Sequence, residues 1–349
     1  MAVTFSSLAD VLAHGFDEVI DVRSPAEWLE DRMPGAISLP VLDNEERARV
    51  GTIYKQVNPF TARKLGAALV ARNAAKHIEG PLAEKPGGWR PLVYCWRGGQ
   101  RSNSFAMILS QIGWRVEVVA GGYKSWRGLV VKALYETAFP SRVVLLDGNT
   151  GTAKTGLLPL LKARGVQVID LEGLANHRGS LFGAMPGGQP AQRGFESALA
   201  MEVARLDPSL PVVIEAESSK VGDLRLPSEL WRAMRAAPRL EIDAPRGARA
   251  EYLASAYADM VEDADRLTAV IDRLRPLHAA AVIEDWHRMV AEGAHVALAE
   301  DLMARHYDPR YLRHRERIGA AQETVAVEGL GPQDLEALAD RVAARVGAL

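Results

Sequence analysis

The sequence predicts an α/β protein: two successive parallel-sheet domains and then a helical C-terminal region. Three observations carry this. Short apolar runs (Glu18-Val19-Ile20-Asp21-Val22, Pro91-Leu92-Val93-Tyr94, Val116-Glu117-Val118-Val119) alternate with stretches of helical periodicity, the pattern of parallel strands joined by crossover helices. The pattern starts afresh at Arg142-Val143-Val144-Leu145-Leu146-Asp147, after a short hinge at Phe139-Pro140-Ser141. From Arg246 onward apolar residues recur at helical spacing. The expected domains are residues 1–138, with an inserted segment at about 41–90, then 142–245 and 246–349.

With 349 residues, 48% of them apolar and 25% charged, the chain has ordinary globular composition and enough length for more than one core. A net charge of −2 argues against a strongly basic nucleic-acid binder but leaves room for a local patch. The single cysteine rules out an internal disulfide. The start lacks a basic segment followed by an apolar run, and no stretch approaches the ~20 apolar residues of a membrane span. The expectation is a soluble, cytoplasmic chain with no membrane contact.

In chain order, the first strand delivers Asp21 and Arg23 to its C-terminal end. Ser24-Pro25-Ala26-Glu27 then opens a helix with a capping box. Met33-Pro34-Gly35-Ala36-Ile37-Ser38 makes a turn and a second strand. Tyr94-Cys95-Trp96-Arg97-Gly98-Gly99-Gln100-Arg101-Ser102 follows a buried strand and precedes a helix expected from Ser104 to Ile112. Loop amides, the helix dipole, Arg97 and Arg101 would together form an anion cradle that favours the thiolate of Cys95. A buried structural cysteine is the alternative, and the two arginines and two glycines weigh against it.

Asp21-Val22-Arg23-Ser24-Pro25-x-Glu27, Pro34-Gly35-Ala36-Ile37, the cysteine loop and Gly121-Gly122-Tyr123, in that order, resemble a rhodanese domain. Cys95 to Arg101 is C-x5-R, one residue longer than the common sulfurtransferase loop. The resemblance to rhodanese-like phosphatases therefore implies a larger, phosphate-bearing donor. Within the inserted segment, Arg47, Arg49, Tyr54 and Lys55 mix cations with an aromatic ring. That composition suits RNA contacts and equally suits a solvated helix face.

In the second domain, Gly148-Asn149-Thr150-Gly151-Thr152-Ala153-Lys154-Thr155 follows a strand and opens a helix. It is a Walker A loop with Ala153 in place of the last glycine. Its amides and Lys154 would bind a diphosphate, and Thr155 is placed to reach a Mg²⁺ ion. Ala153 is expected to accept helical φ but to narrow the approach of the phosphates, which weighs against nucleotide hydrolysis. Val166-Gln167-Val168-Ile169-Asp170 is the next strand, and the loop after it offers His177, Arg178 and Ser180 as substrate contacts. Pro211 to Ser218 is a third strand that brings Glu215 to the Walker B position, with Glu217 the lesser candidate. Beyond Arg246, residues 305–317 hold five arginines, two histidines and two tyrosines. Arg310, Tyr311, Arg313, Arg315 and Arg317 thus form a patch suited to a structured RNA, with a solvated helix end as the alternative.

The whole succession, Cys95 to Ser102, the altered Walker loop, His177-Arg178-Gly179-Ser180-x-Phe182-Gly183 and Tyr307-Asp308-Pro309-x-Tyr311, resembles the tRNA 2-selenouridine synthases over nearly the full length. The resemblance implies a rhodanese-like parallel-sheet domain, a P-loop α/β domain and a helical C-terminal region. It also implies a transferase acting on the wobble uridine of tRNA, where 2-thiouridine is S-geranylated from geranyl diphosphate and the S-geranyl group is then replaced by selenium from selenophosphate. Cys95, with Arg97 and Arg101, would serve selenation, and Gly148 to Thr155 the prenyl diphosphate. Arg47, Lys55 and the 310–317 patch would hold tRNA. A selenophosphate-supplying enzyme would be a partner. No tightly bound cofactor is expected, no metal is assigned beyond Mg²⁺ near Thr155, and the oligomeric state stays open. The rival readings are a rhodanese-type phosphatase or sulfurtransferase fused to a kinase-like domain, and a nonenzymatic RNA-binding protein.

Overall fold

The short apolar runs of the N-terminal half become strands β1 (Ala2–Val3), β2 (Glu18–Asp21), β3 (Ala36–Ser38), β4 (Pro91–Tyr94) and β5 (Glu117–Val119). The computed structural model describes residues 2–318 and 323–348, without the side chains of 314–318. The chain divides into two compact units, Met1–Ala138 with Pro190–Arg205, and Phe139–Gln189 with Leu206–Leu349.

In the first unit the described strands form one parallel sheet in the order β1-β5-β4-β2-β3. Central β4 is buried at every residue, as a strand covered on both faces must be. The inserted segment forms helices Asn44–Gln56 and Pro59–Glu79. It is more than decoration, since Leu69, Val70, Ala74, Leu82 and Trp89 join Val93, Phe105 and Cys95 in one core cluster. Arg23 is fully buried, but its charge is matched by Asp21 at 2.6 Å, and it also donates to the Asp31 carbonyl at 2.6 Å. Pairing of this kind offsets the desolvation of a buried ion.

Helix Gln192–Ala204 belongs to this first unit, although its sequence lies inside the stretch expected for the P-loop domain. Phe195, Leu199 and Ala200 are buried, Ser197 donates to Asp31 at 2.8 Å, and Glu196 pairs with Arg127 and accepts from Tyr135 at 2.7 Å. A helix with both an apolar stripe and buried polar partners follows those partners, not its chain neighbours.

The second unit holds β6 (Val143–Gly148), β7 (Gln167–Ile169), β8 (Val212–Glu215), a hairpin of β9 (Lys220–Val221) and β10 (Leu224–Arg225), β11 (Arg239–Asp243) and β12 (Glu323–Ala326). Its main sheet, over the described residues, is parallel in the order β12-β11-β6-β8-β7. The stretch after Arg246 is therefore not purely helical: β12 completes the sheet, and helix Pro332–Ala348 packs on helix Lys154–Ala163 over a core of Leu157, Leu161, Leu338 and Val342. The stretch from Arg246 opens with three separate helices, Arg246–Ala256, Ala258–Val261 and Ala264–Asp272. These pack with helices Ala280–Ala291 and His295–Leu302 around Trp286, Ile271 and Leu298. Among the described residues no helix is long and apolar enough to cross a membrane.

Candidate functional site

The central strand β6 ends in Asp147-Gly148, and the chain then turns toward a helix. Gly148 has φ 151°, and a Cβ there would lie 2.8 Å from the Ile242 carbonyl, so only glycine fits. Lys154 opens helix Lys154–Ala163 and donates from Nζ to the Gly148 carbonyl at 2.9 Å, closing the loop on itself. Ala153 does not take the helical φ expected of it. It caps the helix at φ 59°, ψ 24°, in the left-handed region, 4% exposed and packed with the core. The substitution therefore acts as local strain, of about 1–2 kcal/mol for a residue with a Cβ.

Three carboxylates gather beside the loop. Thr155 donates from Oγ1 to Glu172 at 2.8 Å, and the Glu172 amide faces Glu215 at 3.5 Å. Glu172 and Glu217 hydrogen-bond through their carboxyl groups. Burial, reinforced by Glu172, pushes Glu217 up to about 8 and Glu215 well above the carboxylate range, and burial raises Glu172 as well. For Lys154, burial works against the charged form, but Tyr311, Asp147, Glu172 and Glu217 around it prevail and raise its pKa. A cluster with this much crowded acid calls for a proton or a cation. Among the described residues, no group of three or more His, Cys, Asp or Glu is arranged to hold a metal by itself.

Loop and carboxylates front a cavity of about 1110 Å³. Thr150 to Thr155, Arg178, Ser180 and Glu217 line it, and so do Arg310 and Tyr311 from helix Asp308–Ile318. Arg178 pairs with Asp259 at 2.7 Å and sits 4.6 Å over the Tyr257 ring, while Ser180 lies 3.2 Å from the Tyr257 hydroxyl. His177 is not among the lining residues. Its backbone bridges to Ala184 at the base of the loop, and burial lowers its imidazole pKa. Glu215 lies beneath the cavity at 1% exposure. Of the basic patch, Arg313 is exposed, and the Arg315 and Arg317 side chains lie outside the described residues. Sequence reasoning passed over Glu172, Tyr252, Tyr257 and Arg249. Arg249 donates to Asp308 at 2.9 Å and 3.0 Å and to the Thr150 carbonyl at 3.0 Å, tying the loop to the patch. The rule that ligands sit beyond strand ends could have found Glu172 after β7, whereas the tyrosines and Arg249 are masked by ordinary helical periodicity.

In the first unit, Cys95 sits at the end of β4, and helix Gln100–Ile112 begins earlier than expected, so Arg101 and Ser102 lie in its first turn. The Cys95 Sγ is 3.1 Å from Ser102 Oγ, and the residue is 3% exposed. Gly122 takes φ 58° against the Cys95 carbonyl, where a Cβ would collide, and Tyr123 donates its amide to that carbonyl at 2.8 Å. Arg101 is held by Glu27 through contacts of 2.8 and 3.3 Å, with Arg47 on the same carboxylate at 3.9 Å. Burial would raise Glu27, but Arg101 and the Ser24 amide hold it at about 2. Arg97 and Lys55 are exposed.

Residues 4–129 match the model of the rhodanese-like domain, and residues 141–268 that of the tRNA 2-selenouridine synthase AAA domain. The tRNA 2-selenouridine synthase of Aeromonas salmonicida (strain A449) is 33% identical over 356 residues, covering 94% of each chain. The chain belongs to the tRNA 2-selenouridine synthase family. The synthase of Pseudomonas syringae pv. syringae (strain B728a) is 33% identical over 87% of this chain and 90% of its own. That of Hahella chejuensis (strain KCTC 2396) reaches 37% over 67% and 62%. One family model covers the Cys95 loop and the other the Walker loop.

Proposed function

We propose that this chain converts wobble 2-thiouridine of tRNA to 2-selenouridine in two transfers, one for each loop. The observation that carries the reading is the cavity in which the Walker loop and Lys154 face Arg310 and Tyr311, an anion cradle opposite a basic, aromatic wall. Such a cavity suits the meeting of a diphosphate with a nucleobase. The sulfur of 2-thiouridine attacks the allylic carbon of geranyl diphosphate, the carbon–oxygen bond breaks, and diphosphate leaves into the loop amides and Lys154. The base gives up its N3 proton in the same conversion. Selenophosphate, the phosphate-bearing donor, then binds at the Cys95 loop with Arg97 and Arg101 beside it: its selenium attacks C2 of the base, the carbon–sulfur bond breaks and geranyl thiol leaves protonated, and water cleaves the selenium–phosphorus bond, releasing inorganic phosphate while N3 regains its proton. A selenophosphate-supplying enzyme is the partner this scheme requires.

Thr155, Glu172 and Glu215 present oxygen donors beside the loop, and Glu215 keeps one buried oxygen without a hydrogen-bond partner. These residues fit a Mg²⁺ ion completed by diphosphate oxygens and water. Bound there, it would neutralise charge on the leaving group.

Mass spectrometry of tRNA nucleosides tests the division of labour. Cys95→Ala should accumulate S-geranyl-2-thiouridine. Lys154→Ala should leave 2-thiouridine, yet form 2-selenouridine from tRNA that is already geranylated. Loss of geranylation in a folded, tRNA-binding Cys95→Ala protein would overturn the scheme.

A further inference from the structure

A second cavity of about 80 Å³ adjoins the first. Thr150, Ser180, Leu253, Tyr257 and Tyr307 line both, and so form a neck between them. Beyond the neck the walls change character. Phe182, Met260, Leu267, Leu298 and Leu302 close the far side, all of them buried in the helical cluster of the second unit. Measured against the ~10–15 Å³ that admits one water, the space is large enough for a short hydrocarbon chain. Polar water would find few partners in it, whereas each apolar carbon moved there leaves water favourably.

We infer that this pocket holds the hydrocarbon tail of the diphosphate substrate and sets the chain length the enzyme accepts. The inference rests on the reading that the Walker loop holds a prenyl diphosphate, and it deepens that reading by locating the other end of the ligand. Two adjacent properties require it. The Walker loop recognises two phosphates, and the only continuation it shares with an apolar space among the cavities described runs past Thr150 and Ser180. A ligand occupying both has an anionic head, a bond to be broken at the neck, and an apolar tail of limited length. Leu298 and Ala299 line the pocket from helix His295–Leu302.

Calorimetric binding of inorganic diphosphate, geranyl diphosphate and farnesyl diphosphate to the full chain tests this. For the unmodified protein, geranyl diphosphate should bind at least about tenfold more tightly than inorganic diphosphate, the scale expected from burying several carbons. Ala299→Phe, which fills the pocket, should abolish that gain and leave inorganic diphosphate binding unchanged. Leu298→Ala, which deepens it, should shift preference toward farnesyl diphosphate. Equal binding of geranyl and inorganic diphosphate, or a gain that survives Ala299→Phe, would overturn the tail pocket while leaving the Walker loop reading intact. Failure of inorganic diphosphate to bind, or binding indifferent to Lys154→Ala, would overturn both.

Discussion

Glu217 shows how much a single residue can report about the Walker site. Burial and the neighbouring Glu172 push it from 4.5 up to about 8. Between those values the folded chain keeps a proton that the unfolded chain has released. Stability tied to Glu217 is therefore complete below the lower value and is lost as pH rises through the upper one. Burial raises Glu172 and Glu215 too, so they act in the same direction. The melting temperature should fall between about pH 4.5 and about pH 8, and Glu217→Gln should flatten the fall, because an amide carries no charge to expel. Parallel profiles for the two proteins would show that the cluster is relaxed by some other means. Ala153 marks the limit of what residue identity alone conveys. Its place in the Walker pattern was plain, but its left-handed backbone depends on how the loop enters the helix, which no local propensity encodes.

Among the elements, helix Asp308–Ile318 joins the cavity wall to the basic patch. Its first residue is clamped by Arg249, which also holds the Thr150 carbonyl, and Arg310 and Tyr311 face the cavity. Replacing Arg310 and Arg313 with glutamine should weaken tRNA binding and lower the salt dependence, by roughly 0.7–0.9 in log–log slope for each phosphate that is no longer neutralised. An unchanged slope in filter binding over a salt series would assign both arginines to a solvated helix end. The motifs that were legible here are local. The capping box at Ser24, the Cys95 loop and the Gly148–Thr155 loop each carry their chemistry within a few residues. Strands β11 and β12 were not legible, because Arg239-Leu240-Glu241-Ile242-Asp243 and Glu323-Thr324-Val325-Ala326 are short and half polar, and become strands through pairing with partners far along the chain. Arg239 in β11 lies 3.8 Å from Asp147 on the adjacent strand.

At the scale of the whole molecule, sequence order and spatial membership part company at helix Gln192–Ala204. Asp31 is buried, and burial raises its carboxyl pKa in spite of the Ser197 and Tyr123 hydroxyls that it accepts. A fragment ending at Ala138 would lose Ser197 and Glu196 and expose the surface that Phe195 and Leu199 cover. Leaving buried polar groups and an apolar face unpartnered costs several kcal/mol, a large part of the stability of a small domain. Limited proteolysis should digest the 1–138 fragment much faster than the same sequence joined by a flexible linker to 190–205. Equal resistance would mean that the helix is an accessory. The helix also sets a clock on synthesis. About 67 residues, from Phe139 to Arg205, must be added after the last strand and helix of the first unit before its remaining helix exists. At about 5–20 residues per second this is a delay of roughly 3–13 s, during which the nascent chain carries an unfinished N-terminal unit and a Cys95 loop whose supporting scaffold is incomplete. The usual order, in which an N-terminal domain matures while the next is still being made, is suspended in this chain until translation has passed well into the second unit.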